Sequence, residues 1–372
     1  MDSNERETPI SKNEAIAFAA ALAESVHRND LECFLELLDW DGILDRATSI
    51  PRIPELGEAR RLFKEKVMAE VGRTGGIHAT IHSAVQAGGD YRALRVRVND
   101  EAPNVLFRLS TCDSGLNYHR YSLARNSGGT VFAGDVFLFL AAEDLSHSFR
   151  RGWLSIAKLT LREACAEYEA QPDPFFAHLE EILEIDSLVD REEFSAALEL
   201  YRSLPEPVQK AKYLIGAALM AAQGVSDADY GGVIDLFRRA YPQDASLDLL
   251  LFDGYFVRKK FDRALRCIER FDELIQGDDL LSAKRAACLL GLGRIDEARE
   301  AVYTAIAGEP EMRDGYAVGL DVALAERNFD DTLRYMMILE DRFDLEWDDL
   351  TTVDDFAEFV KSPQYKVWLE TQ

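Results

Sequence analysis

Residues 261–310 read FDRALRCIERFDELIQGDDLLSAKRAACLLGLGRIDEAREAVYTAIAGEP, and this stretch decides the architecture. Two pieces of it match. Phe261-Asp262-Arg263-Ala264-Leu265 and Ile295-Asp296-Glu297-Ala298-Arg299 begin 34 residues apart. A fixed period of this size, with a short turn between two helical patterns, marks a repeated helix pair.

The pattern extends both ways. A large apolar residue opens the second helix of each unit, a small or β-branched residue follows three positions on, and another apolar residue seven on. Phe194/Ala197/Tyr201, Tyr230/Val233/Phe237, Phe261/Ala264/Ile268, Ile295/Ala298/Val302 and Phe329/Thr332/Met336 all fit. The openers are spaced 36, 31, 34 and 34, and the loop at 224–229 can absorb the first two departures. Positions three and seven along a helix share a face. The small residue lets the partner helix approach, and the larger ones fill the space beside it.

On these residues the chain resembles the tetratricopeptide repeat family over about 174–342, with Ile295 through Pro310 the best match. The family's early Trp, Gly and Tyr are mostly missing, and one unit alone ends in the expected Pro. The resemblance implies an all-α solenoid whose first helices line a binding groove.

The 372 residues carry 42 Lys+Arg and 67 Asp+Glu, a net charge of −25. Residues 1–152 hold 18 basic and 22 acidic side chains, and residues 153–372 hold 24 and 45. The acid belongs to the repeat half. Nucleic acid and anionic membrane surfaces are therefore poor partners, because their phosphates need Lys and Arg. A basic peptide or protein would be attracted. Five cysteines show no Cys-x-x-Cys and no zinc spacing. With no signal-peptide pattern and no run of ~20 apolar residues, a cytoplasmic location is expected.

Residues 1–10 read as a disordered leader and 11–148 as an α+β domain. Ser11 and Glu14 form a capping box for a first helix. Further helices are expected over Leu31–Leu38, near Trp40–Ala47, and from Glu55 to Val71, where Gly72 stops the chain; Pro51 and Pro54 mark a loop. The period then changes to two. Strands are expected over Ile77–Val85, Tyr91–Val98, Val105–Thr111, Leu116–Ala124 and Thr130–Leu140, the last two joined by a turn at 125–129. Helices followed by a curled antiparallel sheet over about 12–145 resemble, in element order, the nuclear transport factor 2-like cone, which encloses a pocket. Ser146 or Ser148 would cap a connector helix from Phe149 to Tyr168, within 149–171, closed by Pro172-Asp173-Pro174. Repeats fill 172–342. Phe356, Phe359, Tyr365 and Trp368 in 343–372 would cap the last pair.

No G-x-S-x-G, Walker or His-Glu-x-x-His pattern occurs, so no catalytic residue, cofactor or metal is assigned. His78 and His82, placed on a strand, would lie about 13 Å apart, too far for one ion. The resemblance to the cone suggests a pocket around Tyr118, Arg120 and Asp135, with Asp135 as a base among aromatics or as a partner of Arg120 or backbone amides. In the repeats, Asp253 and Asp321 occupy equivalent places 68 residues apart, with Ala287 between them. One turn on, Phe256, Leu290 and Leu324 are equivalent. This strip is either helix–helix core or a groove for an extended peptide with apolar and basic residues. The Lys/Asn/Arg clamp of chaperone-binding members is absent. The expected function is a non-enzymatic protein-interaction scaffold. The alternative is small-molecule binding or proton transfer in the N-terminal domain, localised by the repeats.

Overall fold

The computed structural model describes residues 9–49, 56–98, 102–112, 115–126, 128–164, 177–242 and 247–371. Most of the expected leader, the Pro51/Pro54 loop, Ser127 of the hairpin turn, the end of the connector and Pro172–Pro174 lie outside them. Two compact units divide the chain, 1–247 and 248–372.

The first unit opens with α1 (Lys12–His27), α2 (Leu31–Glu36), α3 (Trp40–Ala47), α4 (Gly57–Thr74) and α5 (Gly76–Gln86). The capping box at Ser11 and Glu14 is formed in full. A five-stranded antiparallel sheet follows in sequential order: β1 (Asp90–Arg97), β2 (Asn104–Ser110), β3 (Leu116–Arg125), β4 (Val131–Leu138) and the short β5 (Glu143–Asp144). Short links between neighbouring strands permit this meander. α1 packs on the sheet, and Phe18, Phe34, Tyr91, Phe107 and Tyr121 fill the space between. The link between α2 and α3 is stitched to β4, where Asp39 N–H donates to Ala133 O and Ala133 N–H to Leu37 O. α6 (Leu145–Ala164) starts ahead of Ser146 and Ser148, so neither serine caps it.

Two expectations need correction. Residues 77–85 form helix α5, not a strand. Their β-branched residues and short alternation suit a strand, but Ile77, Ile81, Ala84 and Val85 also share a helical face. That face packs into the core beside α1. The chain also runs through Gly72 and turns at Gly75 and Gly76, whose φ values of 77° and 49° favour glycine.

The remaining helices of this unit are α7 (Leu179–Asp190), α8 (Phe194–Ser203), α9 (Glu206–Gln209), α10 (Lys212–Val225) and α11 (Asp227–Ala240). The second unit holds α12 (Asp248–Val257), α13 (Phe261–Ile275), α14 (Leu281–Gly291), α15 (Ile295–Gly308), α16 (Arg313–Glu326), α17 (Phe329–Phe343) and α18 (Pro363–Leu369). Successive helices pack as pairs: α7 with α8, α10 with α11, α12 with α13, α14 with α15 and α16 with α17.

Four of the five openers start their helix: Phe194, Phe261, Ile295 and Phe329. Tyr230 does not, because Ser226 caps α11 one turn earlier. Three residues on, Ala197, Ala264, Ala298 and Thr332 have no exposed surface, and Val233 is also buried. Seven on, Tyr201, Phe237, Ile268, Val302 and Met336 are all buried. The openers also demand space opposite. Gly224 and Gly291 face Phe194 and Phe261 so closely that a Cβ would fall 2.1 Å and 2.4 Å from ring carbons.

A second repeat appears in the backbone. Glu192, Lys259, Gly293 and Arg327, each two residues before an opener, have φ of 60°, 53°, 72° and 57°. Each donates its N–H to the carbonyl three residues back, at Val189, Phe256, Leu290 and Leu324 (2.9–3.0 Å). The following N–H groups, of Glu193, Lys260, Arg294 and Asn328, donate five residues back, to Leu188, Tyr255, Leu289 and Ala323 (2.8–2.9 Å). This pair of bonds is a Schellman motif. It satisfies carbonyls that the helix end leaves open and reverses the chain within three residues.

The end of the chain covers α17. Phe359 has no exposed surface and packs against Phe329, Phe356 and Tyr365 at 5.8, 6.1 and 5.8 Å between centroids. Trp368 Nε1–H donates to Glu340 Oε1 at 2.8 Å.

Gly293→Ala should lower stability by about 1 kcal/mol, because it forces a Cβ into the left-handed region. Arg327→Gly should change it by less, in the opposite direction, since relief of strain is partly offset by added chain entropy. Phe359→Ala should cost about 3–5 kcal/mol. Urea unfolding of the three variants would show the order; equal midpoints for Gly293→Ala and the parent would contradict the turn assignment.

Candidate functional site

The first helices α12, α14 and α16 carry the residues expected to line a groove. Lys284 of α14 sits over the Phe252 ring of α12 at 5.8 Å, and α14 contacts α16, so the three helices are neighbours in order. Phe256, Leu290 and Leu324 stand at matching points in the last turn before each Schellman motif, and all three are half-buried. Phe256 is engaged within its own pair, stacking on Phe252 and meeting Phe261 edge-on, both at 5.5 Å.

Asp253 and Asp321 sit one turn earlier, with Ala287 between them. Both aspartates are exposed, and neither has an ion-pair partner among the described residues. Protein nevertheless surrounds them on several sides. Partial loss of water raises the Asp253 carboxyl above its ordinary pKa, with Lys284 opposing the shift. The same cause pushes Asp321 up to about 6, and the charge of Asp355 adds to it. Asp355 belongs to a short 3-10 turn, Asp354–Phe356, in the terminal segment. The sequence showed that segment as an apolar cap; nothing in its pattern places Asp355 beside α16.

This arrangement opposes folding. A carboxylate whose folded pKa lies above its unfolded value costs stability when ionised. The penalty is complete above the folded pKa and fades as pH falls toward the unfolded value. Several other acids in this unit do have a cation. Asp248 meets Arg270 at 3.2 Å, Asp262 meets Arg266 at 2.9 Å, and Glu297 meets Arg294 at 2.5 Å.

In the first unit, Tyr118, Arg120 and Asp135 lie on one face of the β3–β4 ribbon. Tyr118 is buried and meets Phe139 edge-on at 6.3 Å. The Arg120 guanidinium lies over Phe137 at 4.9 Å and Phe139 at 5.8 Å, and burial lowers its pKa. Asp135 pairs with Arg46 rather than Arg120. Its Oδ2 accepts from Arg46 Nε at 3.2 Å, and its Oδ1 accepts from the amides of Val136 (2.9 Å) and Ser146 (3.2 Å). Both oxygens are occupied in fixing the approach to α6. Proton abstraction there would require these bonds to be given up.

The opposite face carries a network that the sequence reading did not assemble. Tyr91 O–H meets Tyr121 O–H at 2.7 Å and His119 Nδ1 at 3.1 Å, and His119 Nε2 meets Asn117 Nδ2 at 3.2 Å. Asn117 Oδ1 accepts from the amides of Tyr118 and Leu140, which fixes its amide with the N–H₂ toward His119. The chain of donors is then Asn117 to Nε2, Nδ1–H to Tyr91 and Tyr91 O–H to Tyr121. Burial holds His119 neutral and lowers its pKa to about 4. The strand alternation put residues 119 and 121 on one face, but only the β1–β2–β3 register brings Tyr91 to them.

The change of 77–85 from strand to helix also corrects the histidine geometry. His78 and His82 are not 13 Å apart. Their rings stack with centroids 6.1 Å apart and planes 3° from parallel. His78 Nε2 meets Ser25 O at 3.2 Å and His82 Nδ1 meets Val26 O at 2.7 Å. Each ring adds a second bond to a carbonyl at the end of α1 that already accepts a backbone N–H, from Asp30 at Ser25 and from Asn29 at Val26. Among the described residues, no group of three or more His, Cys, Asp or Glu could hold a metal ion. No helix of the described residues is long and apolar enough to cross a membrane.

No family model matches the chain, and no curated protein matches it. Among solved structures, a point mutant of MamA aligns at TM-score 0.35 and 14% identity, over 44% of this chain and 96% of that one. A likeness at this level fixes neither fold nor function.

Two pH dependences follow. His119 has a folded pKa below its unfolded value of about 6.5, so its stabilising neutral form is lost as pH falls from 6.5 toward 4. The loss should reach roughly 3 kcal/mol, and His119→Gln should flatten the slope of urea midpoint against pH across that window. Asp321→Asn should behave oppositely. It should raise Tm at pH 7.5 and give progressively less below pH 6. A Tm gain as large at pH 4.5 as at pH 7.5 would refute the Asp321 assignment.

Proposed function

We propose that this protein is a protein-interaction scaffold in which α12, α14 and α16 form a tetratricopeptide-like groove for an extended, basic and partly apolar segment of a protein partner. The observation that carries this reading is the pair Asp253 and Asp321. They recur at equivalent positions on alternate first helices, lack an ion-pair partner among the described residues, and sit where surrounding protein disfavours their charge. A fold that keeps such carboxylates at a cost in stability has a use for them outside folding. A Lys or Arg from a partner supplies the missing charge and relieves the Asp321–Asp355 repulsion. The half-buried Phe256, Leu290 and Leu324 give the partner's apolar residues an adjacent strip.

Support also comes from the recurrent Schellman turns. They keep one helix-pair geometry, so that equivalent residues of successive pairs are presented in the same way. The acid excess of residues 153–372 would speed the approach of a basic partner. The sheet domain, whose interior is filled by aromatic side chains, supports a docking role more than a catalytic one.

The test uses the full chain and a library of labelled basic-apolar peptides, read by fluorescence anisotropy. Binding peptides should lose about tenfold or more in affinity between about 50 and 300 mM salt, in the sense expected when charge drives association. The double variant Asp253→Asn/Asp321→Asn should weaken them at low salt and reduce the salt slope. Acidic peptides of matched length should not bind. Affinity that is indifferent to both salt and the double variant would rule the groove out.

A further inference from the structure

Two hydrophobic clusters in the first unit meet imperfectly. One is the sheet core, which includes Val71 and Tyr91; the other gathers Leu56, Phe63, Trp153, Leu154, Ala157 and Leu179. Val67 and Phe149 pack against both. At this seam, between α4 and α6, lies a cleft of about 260 Å³ walled by Phe63, Val67, Val71, Phe149 and Ile156. Gly152 helps to keep it open. A Cβ there would point toward the Phe63 ring, 3.7 Å from its edge.

The mouth of the cleft carries Lys66 and Glu70. Glu70 is engaged by Arg73 Nε at 3.1 Å, and this bond lowers its pKa. Lys66 is exposed and makes no close ion pair among the described residues, although its charge also acts on Glu70. Two cations, Lys66 and Arg73, thus share the one carboxylate, and an apolar slot with this excess positive charge at its rim matches an amphipathic anion. At about 30 Å³ per non-hydrogen atom, the water value, the cleft holds roughly nine atoms.

We infer that the α4–α6 cleft binds a medium-chain monocarboxylate, with the alkyl chain against Phe63, Val67 and Phe149 and the carboxylate on Lys66. Arg73 keeps Glu70 occupied, so the ligand's charge meets the ammonium rather than a free carboxylate. The site uses none of the residues of the proposed groove and stands whether or not that groove binds a peptide.

Octanoate is the probe, titrated below its micelle-forming concentration into the full chain and followed by calorimetry. Trp153, whose ring lies 5.7 Å from that of Phe63, gives an independent fluorescence signal. One saturable site is expected, with octanoate binding at least tenfold tighter than octylamine or butyrate. Lys66→Glu should weaken octanoate tenfold or more and leave octanol unchanged. Gly152→Leu should abolish binding of both by filling the slot; Ile156→Phe serves the same purpose if the first variant fails to melt cooperatively. Absence of saturable octanoate binding overturns the proposal. So does equal binding of octylamine, or a Lys66→Glu variant that binds octanoate as well as the parent.

Discussion

Each helix pair with the left-handed turn rests on one contact: a second helix lying close enough to its partner that only a small side chain fits between. At Ala197, Ala264, Ala298 and Thr332 that approach leaves no exposed surface at all. It can happen only if the chain reverses quickly, and the Schellman turn does this. The turn sets where the second helix starts, the start sets where the aromatic opener lands, and the opener needs a glycine or a cap opposite. Phe194 finds Gly224, Phe261 finds Gly291, and Phe329, at the end of the series, finds Phe359. The terminal segment is thus the last member of the same packing scheme.

The turn is conformationally demanding, and the chain meets the demand unevenly. Gly293 adopts the left-handed region freely, whereas Glu192, Lys259 and Arg327 do so against a steric penalty of about 1–2 kcal/mol each. Their long polar side chains suit an exposed loop, and the two hydrogen bonds of the motif together with the buried face behind it outweigh the strain. Similar economy of polar groups appears in the sheet domain. His119, Tyr91 and Tyr121 are buried together and remain compatible with an apolar core because each ring finds a polar neighbour. His78 and His82 bond to carbonyls at the end of α1, so even the polar residues of α5 serve its docking.

Charge is distributed by a different logic. Several acids in the second unit meet an arginine one turn away or across a pair, a pattern that makes local ion pairs easy to form and weakly stabilising. Asp253 and Asp321 fall outside that pattern, and so does Lys66 in the first unit. None of the three makes a close ion pair among the described residues, although Lys284 acts on Asp253 and Lys66 on Glu70 from further away. A stability argument alone would remove the two aspartates, which is what supports their proposed part in recognition.

The amino-acid sequence by itself determined the helix pairs and most of the strands. A 34-residue period and a small residue three after each opener are local signals, and four strands alternate visibly. The turn of the chain at Gly75, the helix over 76–86 and the Tyr91–His119–Tyr121 network were decided by tertiary structure. Residues 77–85 fit either period, and the choice went to the face that could pack beside α1. The left-handed turns at Glu192, Lys259 and Arg327 carry no glycine to announce them. Asp253 and Asp321 could be found by counting, but their desolvation and the arrival of Asp355 could not. Spacing along a chain reports which residues share a face; only the folded neighbours decide how much water each face keeps.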